Sequence, residues 1–126
     1  MPHNKSRRKT TGGKRKGRRK RRKHELRRES INCKLTEDSE KRKKIDVRGI
    51  NEKVRARGAN KVNVTNKETG ETKQEEIDDV LENPANPHLV RRNALTKGTI
   101  VKIGDKKAVI TSRPGQSGQI NAVEIS

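Results

Sequence analysis

Aromatic side chains are completely absent from this sequence: none of its 126 residues is Phe, Trp or Tyr, and hydrophobic residues of all kinds make up only 25%. A chain of this length has room for one small domain, and so few apolar side chains cannot bury a large core. The lack of aromatic rings also argues against single-stranded nucleic acid as a ligand, because its bases usually stack on such rings. An ordinary globular enzyme is therefore not expected.

Disulfide, metal and membrane signals are missing too. Cys33 is the one cysteine, so no internal disulfide can form, and we expect it to be a small, semi-buried apolar residue. His3, His24 and His88 are widely scattered, which gives no metal-ligand spacing, so we expect no metal and no cofactor. No segment approaches the ~20 apolar residues of a membrane span, and no apolar segment follows the basic N-terminus as in a signal peptide.

Catalytic motifs are also absent. The sequence has no phosphate-binding glycine loop, no dinucleotide fingerprint and no Ser/His/Asp arrangement. One acidic cluster is interpreted as a solvated strand and loop, or as an intramolecular partner for basic residues; it comprises Glu75, Glu76, Asp78, Asp79 and Glu82. We therefore predict neither enzymatic activity nor a small-molecule substrate.

Positive charge is what the chain has in abundance. Lys and Arg number 34 against 16 Asp and Glu, which gives a formal net charge of +18. Residues 1–29 contain 15 of these cations and two acids, Glu25 and Glu29, but only Met1 and Leu26 as apolar residues. The first part of the chain thus has nothing to fold around, and residues 30–126 form the one possible domain. A polyphosphate is the natural partner for such a charge.

The basic tail, residues 1–29, is predicted to be disordered in water, because its cations repel one another. On a nucleic acid, each Lys or Arg can release a condensed counterion, and Arg can contact two phosphate oxygens at once. Gly12 and Gly13 permit close approach of the backbone to RNA. We expect contacts with phosphates and 2′-hydroxyls of folded, double-helical RNA. A solvated charge run and a nuclear-localisation signal remain as alternatives.

The predicted RNA-binding residues extend from the tail into the domain. The domain contributes three arginines, and a basic cluster at Lys41-Arg42-Lys43-Lys44 with Arg48 could extend the surface. Solvated surface is the alternative for the three arginines. The complete set is Arg7, Arg8, Lys9, Thr11, Gly12, Gly13, Lys14, Arg15, Lys16, Arg18, Arg19, Lys20, Arg21, Arg22, Lys23, His24, Arg27, Arg28, Arg91, Arg92 and Arg113.

The domain is predicted to be mainly β, a small β-barrel or compressed β-sandwich with one short helix and the long basic N-terminal extension. One helix is expected from about residue 87 to residue 97, capped by Asn86, begun by Pro87 and ended by Gly98. Arg113-Pro114-Gly115-Gln116 has the pattern of a type II turn. Apolar alternation and turn residues predict strands near 31–35, 45–47, 54–56, 62–64, 72–80, 99–103, 107–111 and 119–125.

Three segments together resemble a known family. They read KTTGGKRKGRRKRRKHELRRES at 9–30, ENPANPHLVRRNALTKGTIV at 82–101 and VITSRPGQSGQINAVEI at 109–125. The chain is similar to the small-subunit ribosomal protein family shared by archaea and eukaryotes, numbered eight with an e suffix, and its length is similar to the archaeal form. The family tends to carry a further glycine where Ile50 and Glu52 stand here.

That resemblance implies a structural constituent of the small ribosomal subunit. Its tail would be threaded into small-subunit ribosomal RNA, its neighbours would be other small-subunit ribosomal proteins, and it would act in the cytoplasm, in the ribosome. A membrane, a small-molecule substrate and catalysis play no part in this interpretation. A ribosome-assembly factor bound transiently to precursor RNA and a DNA-compacting architectural protein remain as alternatives.

Overall fold

The computed structural model describes residues 8–16, 19–20, 22–26, 28–37 and 39–125. The chain divides into two compact units, residues 1–30 and residues 31–126. In the first unit, Arg8 and Lys14 form an isolated antiparallel bridge, and a 3-10 turn spans Lys23–Glu25. No side chain among the described residues of this unit is buried, so they form no hydrophobic core of their own.

The second unit consists of short strands, one 3-10 helix (Pro87–Arg92) and one short α-helix, α1 (Pro114–Ser117). In chain order, the strands of its described residues are β1 (Cys33–Leu35), β2 (Lys41–Asp46), β3 (Glu52–Ala59), β4 (Lys61–Thr65), β5 (Thr72–Glu76), β6 (Asp79–Glu82), β7 (Ala94–Leu95), β8 (Ile100–Ile103), β9 (Lys106–Ile110) and β10 (Asn121–Ile125).

Six strands form a curled sheet in the order β5-β4-β10-β9-β8-β6. Its two edge strands, β5 and β6, are separated in the chain only by Ile77 and Asp78. The sheet must therefore bend until its edges approach each other. The Ile77 N–H donates to the Asn60 carbonyl oxygen (2.8 Å), and the Asp78 N–H donates to the Lys102 carbonyl oxygen (3.0 Å). These two hydrogen bonds attach Ile77 and Asp78 to the β4 side and to the β8 side of the sheet. The result is a half-closed barrel, as predicted for a small mainly β domain.

The remaining strands form a second sheet in the order β2-β3-β1-β7. Asn60 alone separates β3 from β4, so one nearly continuous stretch of chain passes from this sheet into the barrel. The parallel pairing of β1 with β3 involves Lys34 with Gly58 and Leu35 with Ala59. The earlier part of β3 pairs with β2 alone, so the β2–β3 hairpin extends beyond the other strands of its sheet.

The core is built from small aliphatic side chains. In β4, Val62 and Val64 are buried, whereas Lys61 is exposed and Asn63 is half-buried, which is the period-two alternation of a half-buried strand. Each buried Val, Leu or Ile contributes about 1.5–3 kcal/mol by leaving water. The core cluster comprises Cys33, Ala56, Ala59, Val62, Val64, Ile77, Val80, Leu95, Val101, Ile103, Ala108, Ile110, Ile120 and Ala122.

Three local predictions were wrong. The strand expected over 72–80 is interrupted at Ile77, because the chain crosses there from one edge of the barrel to the other. The helix expected to reach residue 97 ends at Asn93 (φ +49), because Ala94–Leu95 pairs with β1. The expected type II turn is instead the helical turn α1, and its positive φ falls on Gly118 (φ +73). The cap by Asn86 and the start at Pro87 are confirmed.

Candidate nucleic-acid interface

The described residues of the tail present cations from a locally organised backbone. A turn brings the Lys9 N–H to the Gly13 carbonyl oxygen (2.8 Å) and the Gly12 N–H to the Lys9 carbonyl oxygen (3.0 Å). Gly12 has φ +82, a conformation that glycine adopts without steric cost. The Arg8 guanidinium donates to the Gly12 carbonyl oxygen (2.8 Å), and the Arg15 Nε donates to the Arg8 carbonyl oxygen (3.3 Å). All side chains from residue 8 to residue 16 remain exposed.

Arg19 is a tail cation that an acid already holds. Its Nη2 and Nη1 donate to the two Glu25 carboxylate oxygens at 2.6 and 3.0 Å, which is a bidentate pair. Glu25 also accepts from the Arg22 N–H at 3.1 Å. The hydrogen bond from Arg19 and then that from Arg22 lower the pKa of Glu25 to about 2, and the same pair raises the pKa of Arg19. Before Arg19 can bind a phosphate, it has to leave this carboxylate.

The other tail residues of the predicted set divide by whether the structure describes them. Arg7, Arg18, Arg21 and Arg27 lie outside the described residues, so no geometry is assigned to them. The His24 ring lies 4.0 Å from a Glu25 carboxylate oxygen. The remaining described residues of the set are all exposed: Thr11, Gly13, Lys14, Lys16, Lys20, Arg22, Lys23, His24 and Arg28.

In the second unit, a buried asparagine fixes the loop before the 3-10 helix. Asn83 is 1% exposed, and its Nδ2 donates to the hydroxyls of Thr96 (2.9 Å) and Thr99 (3.1 Å). Its Oδ1 accepts from the Ala85 N–H (3.2 Å), and its carbonyl oxygen accepts from the Asn86 N–H (3.2 Å). The buried amide is therefore satisfied at both its donor and its acceptor, as an amide removed from water must be.

Arg91 and Arg92 project from the helix that follows this loop. The Asn86 Oδ1 accepts from the His88 N–H (2.9 Å) at the start of the helix, and Asn93 ends it. Both arginines are exposed and lie in the last turn. Their backbone is thus held at both ends, while their guanidinium groups face solvent.

Arg113 has an exposed side chain on a fixed backbone. Its carbonyl oxygen accepts from the Ser117 N–H (2.9 Å) and from the Ser117 hydroxyl (3.0 Å). The end of α1 lies so close to β3 that a Cβ at Gly118 would come within 2.9 Å of the Val54 carbonyl oxygen. α1, which follows Arg113, contacts β3, whereas the 3-10 helix with Arg91 and Arg92 contacts β6 and β7, so different elements carry Arg113 and the paired arginines.

Other kinds of site find no support in the described residues. No group of three or more His, Cys, Asp and Glu residues among them could hold a metal ion. None of the helices in the described ranges is long and apolar enough to cross a bilayer.

Comparison with known proteins gives the family. The profile described as Ribosomal protein S8e matches residues 2–125. The chain belongs to the ribosomal protein S8e family. Small ribosomal subunit protein eS8 of Methanosarcina barkeri is 46% identical over 120 residues, which cover 95% of this chain and 94% of that protein. The same protein of Haloarcula marismortui is 41% identical over 116 residues, covering 92% and 91%. That of Methanococcus aeolicus is 46% identical over 121 residues, covering 96% and 94%.

One basic segment of this family member is divided between the two faces of a strand. Lys41 to Lys44, which could extend the basic surface, lie in β2, where successive side chains point to opposite faces. Arg42 pairs with Glu40 (2.7 Å), and Lys44 pairs with Glu52 (3.4 Å).

Three basic residues of β3 are not among the RNA-binding residues predicted from the sequence. Lys53, Arg55 and Arg57 recur at every second position of that strand. This period-two repeat is the signal that could have identified them, because it places cations on one side of a strand.

Proposed function

We propose that this chain is a structural constituent of the small ribosomal subunit and binds small-subunit ribosomal RNA, without catalysing a reaction. The basic tail supplies most of the phosphate contacts, and Arg91, Arg92 and Arg113 add contacts from the β domain. Other small-subunit ribosomal proteins are its further neighbours, and it works in the cytoplasm, in the ribosome. Its work is electrostatic, since it neutralises phosphates so that RNA helices can pack together.

The observation that carries this proposal is the separation of charge from core. Every residue of the core cluster lies between Cys33 and Ala122, whereas residues 1–29 contain 15 Lys and Arg. Every described cation of that tail has an exposed side chain. A segment with so many cations and so few apolar residues gains little by folding on itself and much by binding a polyanion. We infer that residues 1–29, apart from the local turns and the Arg19–Glu25 ion pair described above, are disordered when free and become ordered on RNA.

Removal of residues 1–28 tests this division of labour. We expect the truncated protein to lose most of its affinity for transcribed small-subunit rRNA, while circular dichroism and thermal unfolding show an intact β domain. The wild-type chain, with ten phosphate contacts, should give a slope of log K against log salt of roughly −7 to −9. Equally tight binding by the truncated and complete chains would contradict the proposal, and so would a nearly flat slope.

Two further measurements separate the alternatives. A structural constituent is present at one copy in each purified mature subunit, whereas an assembly factor is present only on precursor particles. A competition between duplex DNA and folded RNA addresses the third possibility, because a DNA-compacting protein would bind both equally well.

A further inference from the structure

The β2–β3 hairpin separates its charges between two faces. In an antiparallel pair, residues opposite each other point to the same face, and the faces alternate along the strands. Lys43 lies opposite Arg55, and Ile45 lies opposite Lys53. These four side chains therefore share one face. The other face carries Arg42 opposite Ala56, Lys44 opposite Val54 and Asp46 opposite Glu52.

Ion pairs neutralise only one of the two faces. Arg42 is held by Glu40 at 2.7 Å and Lys44 by Glu52 at 3.4 Å. On the opposite face, Lys43, Lys53 and Arg55 form no ion pair among the described residues. We call these three residues the cationic face.

The arginine of the cationic face is also incompletely satisfied. The Arg55 Nε–H is buried and has no hydrogen-bond partner within the described part of the chain. A buried donor without a partner is costly, so an acceptor that draws the Arg55 side chain outward would relieve that cost. Its neighbour across the hairpin, Lys43, is exposed, and so is Lys53.

The position of the hairpin leaves this face accessible to a large ligand. β1 pairs with β3 only at Gly58 and Ala59, so the part of β3 that contains Lys53 and Arg55 has β2 as its single strand partner. The end of α1 also meets β3, but it does so at Val54, which belongs to the other face of the hairpin. Arg57 extends the row: it is exposed and has no opposite residue in β2, because the register shifts between Lys41 and Arg42. The result is a two-stranded ribbon with cations in two adjacent rows.

We propose that the cationic face binds the phosphate backbone of an RNA helix in small-subunit rRNA. This inference rests on the proposed function and adds a second binding surface to the tail. Along a strand, side chains on one face repeat about every 6.6 Å, and across the pair they lie roughly 5 Å apart. Such a grid can engage several phosphates at once. An acidic protein is a poorer fit, since protein interfaces centre on aromatic or aliphatic anchors, and the one apolar side chain of this face, Ile45, is half-buried.

Two charge-matched variants of the complete chain test the inference. Lys43→Gln with Lys53→Gln removes two cations from the cationic face. Arg42→Gln with Lys44→Gln removes two cations from the neutralised face of the same hairpin, so both proteins carry the same net charge. Affinity for transcribed small-subunit rRNA is measured over a range of salt concentrations, and thermal unfolding followed by circular dichroism verifies that both variants fold.

The cationic-face variant should lose two phosphate contacts. We expect its slope of log K against log salt to become shallower by about 1.4–1.8, and that of the control variant to change by less than about 0.5. Equal changes of slope in the two variants would mean that the hairpin acts on RNA only through its long-range electrostatic field. An unchanged slope in the cationic-face variant would mean that this face does not contact RNA. Either result overturns the inference. Unchanged rRNA affinity combined with poorer incorporation into reconstituted subunits would assign the face to a protein neighbour instead.

The wild type and the chain lacking residues 1–28 are measured in parallel. If the wild type fails to bind rRNA, or if binding does not depend on the tail, the proposed function fails as well. If rRNA affinity depends on the tail but the two hairpin variants behave alike, only the proposal that the cationic face binds RNA is refuted.

Discussion

The ion pair between Arg19 and Glu25 leads to a prediction about how an acid limits RNA binding. Glu25→Gln removes the carboxylate that holds the Arg19 guanidinium at 2.6 and 3.0 Å. In the wild type this carboxylate keeps the Nη1 and Nη2 groups of Arg19 from the RNA, whereas in the variant the same groups are available to a phosphate. We therefore expect tighter rRNA binding by Glu25→Gln, with one more counterion-releasing contact.

The magnitude follows from the counterion contribution of one contact. A slope steeper by about 0.9 means that the variant's advantage over the wild type shrinks about 3.5-fold when salt rises from about 50 mM to about 200 mM. The matched control is Glu29→Gln, because Glu29 is exposed and forms no ion pair among the described residues. It removes the same charge from the same tail without releasing an arginine, so its slope should equal that of the wild type.

The pH dependence gives an independent check of the same ion pair. Because Arg19 and the Arg22 N–H lower the pKa of Glu25 to about 2, the carboxylate stays ionised until the solution is strongly acidic. The pair is therefore present above its depressed pKa and is lost only as pH falls through about 2. The ratio of variant to wild-type affinities should be constant between about pH 4 and about pH 7. Weaker binding by Glu25→Gln would refute the reasoning, since it would mean that Glu25 positions Arg19 for the phosphate.

Further predictions concern the stability of the β domain. Leu95 is 1% exposed, so Leu95→Ala should leave a cavity and lower the free energy of unfolding in urea by about 2–5 kcal/mol. A loss below about 1 kcal/mol would show that neighbouring side chains fill the cavity. Gly115→Ala should lower the free energy of unfolding more than Gly98→Ala does. A Cβ at residue 115 would clash with the Ile31 carbonyl oxygen, whereas a Cβ at residue 98 would meet open space and be strained only by the positive φ. Burial raises the pKa of the Cys33 thiol to about 11, so the thiol should resist alkylation until the protein unfolds. The free energy of unfolding should fall as pH rises from about 9 towards 11, because only the thiol of the unfolded chain ionises in that range.

Local patterns in the sequence were sufficient to predict most of the β structure. Alternation identified β4, in which Val62 and Val64 face the core. Asn86 and Pro87 identified the start of the 3-10 helix, since a side-chain cap and a residue without an N–H suit that position. These signals depend on neighbours in the chain, and a single sequence contains them.

Features that depend on distant parts of the chain could not be predicted in this way. The interruption at Ile77 arises because two barrel edges have to meet, which no local pattern encodes. β7 exists because Leu95 lies opposite Cys33, and this pairing ended the helix earlier than its own propensity indicated. In both places a tertiary contact overrides the local preference of the segment.

The candidate interface shows the same division. Composition alone identified the tail, because its charge density does not depend on geometry. It could not identify which cations are already paired, because Arg19–Glu25, Arg42–Glu40 and Lys44–Glu52 are set by turns and strand register. Formal charge therefore overstates the number of cations that can bind phosphate without first losing an acid. The salt slope reports the phosphates contacted rather than formal charge, so the Glu25→Gln and hairpin variants should differ from their charge-matched controls. If slopes followed net charge alone, these ion pairs would have no part in selecting the contacts.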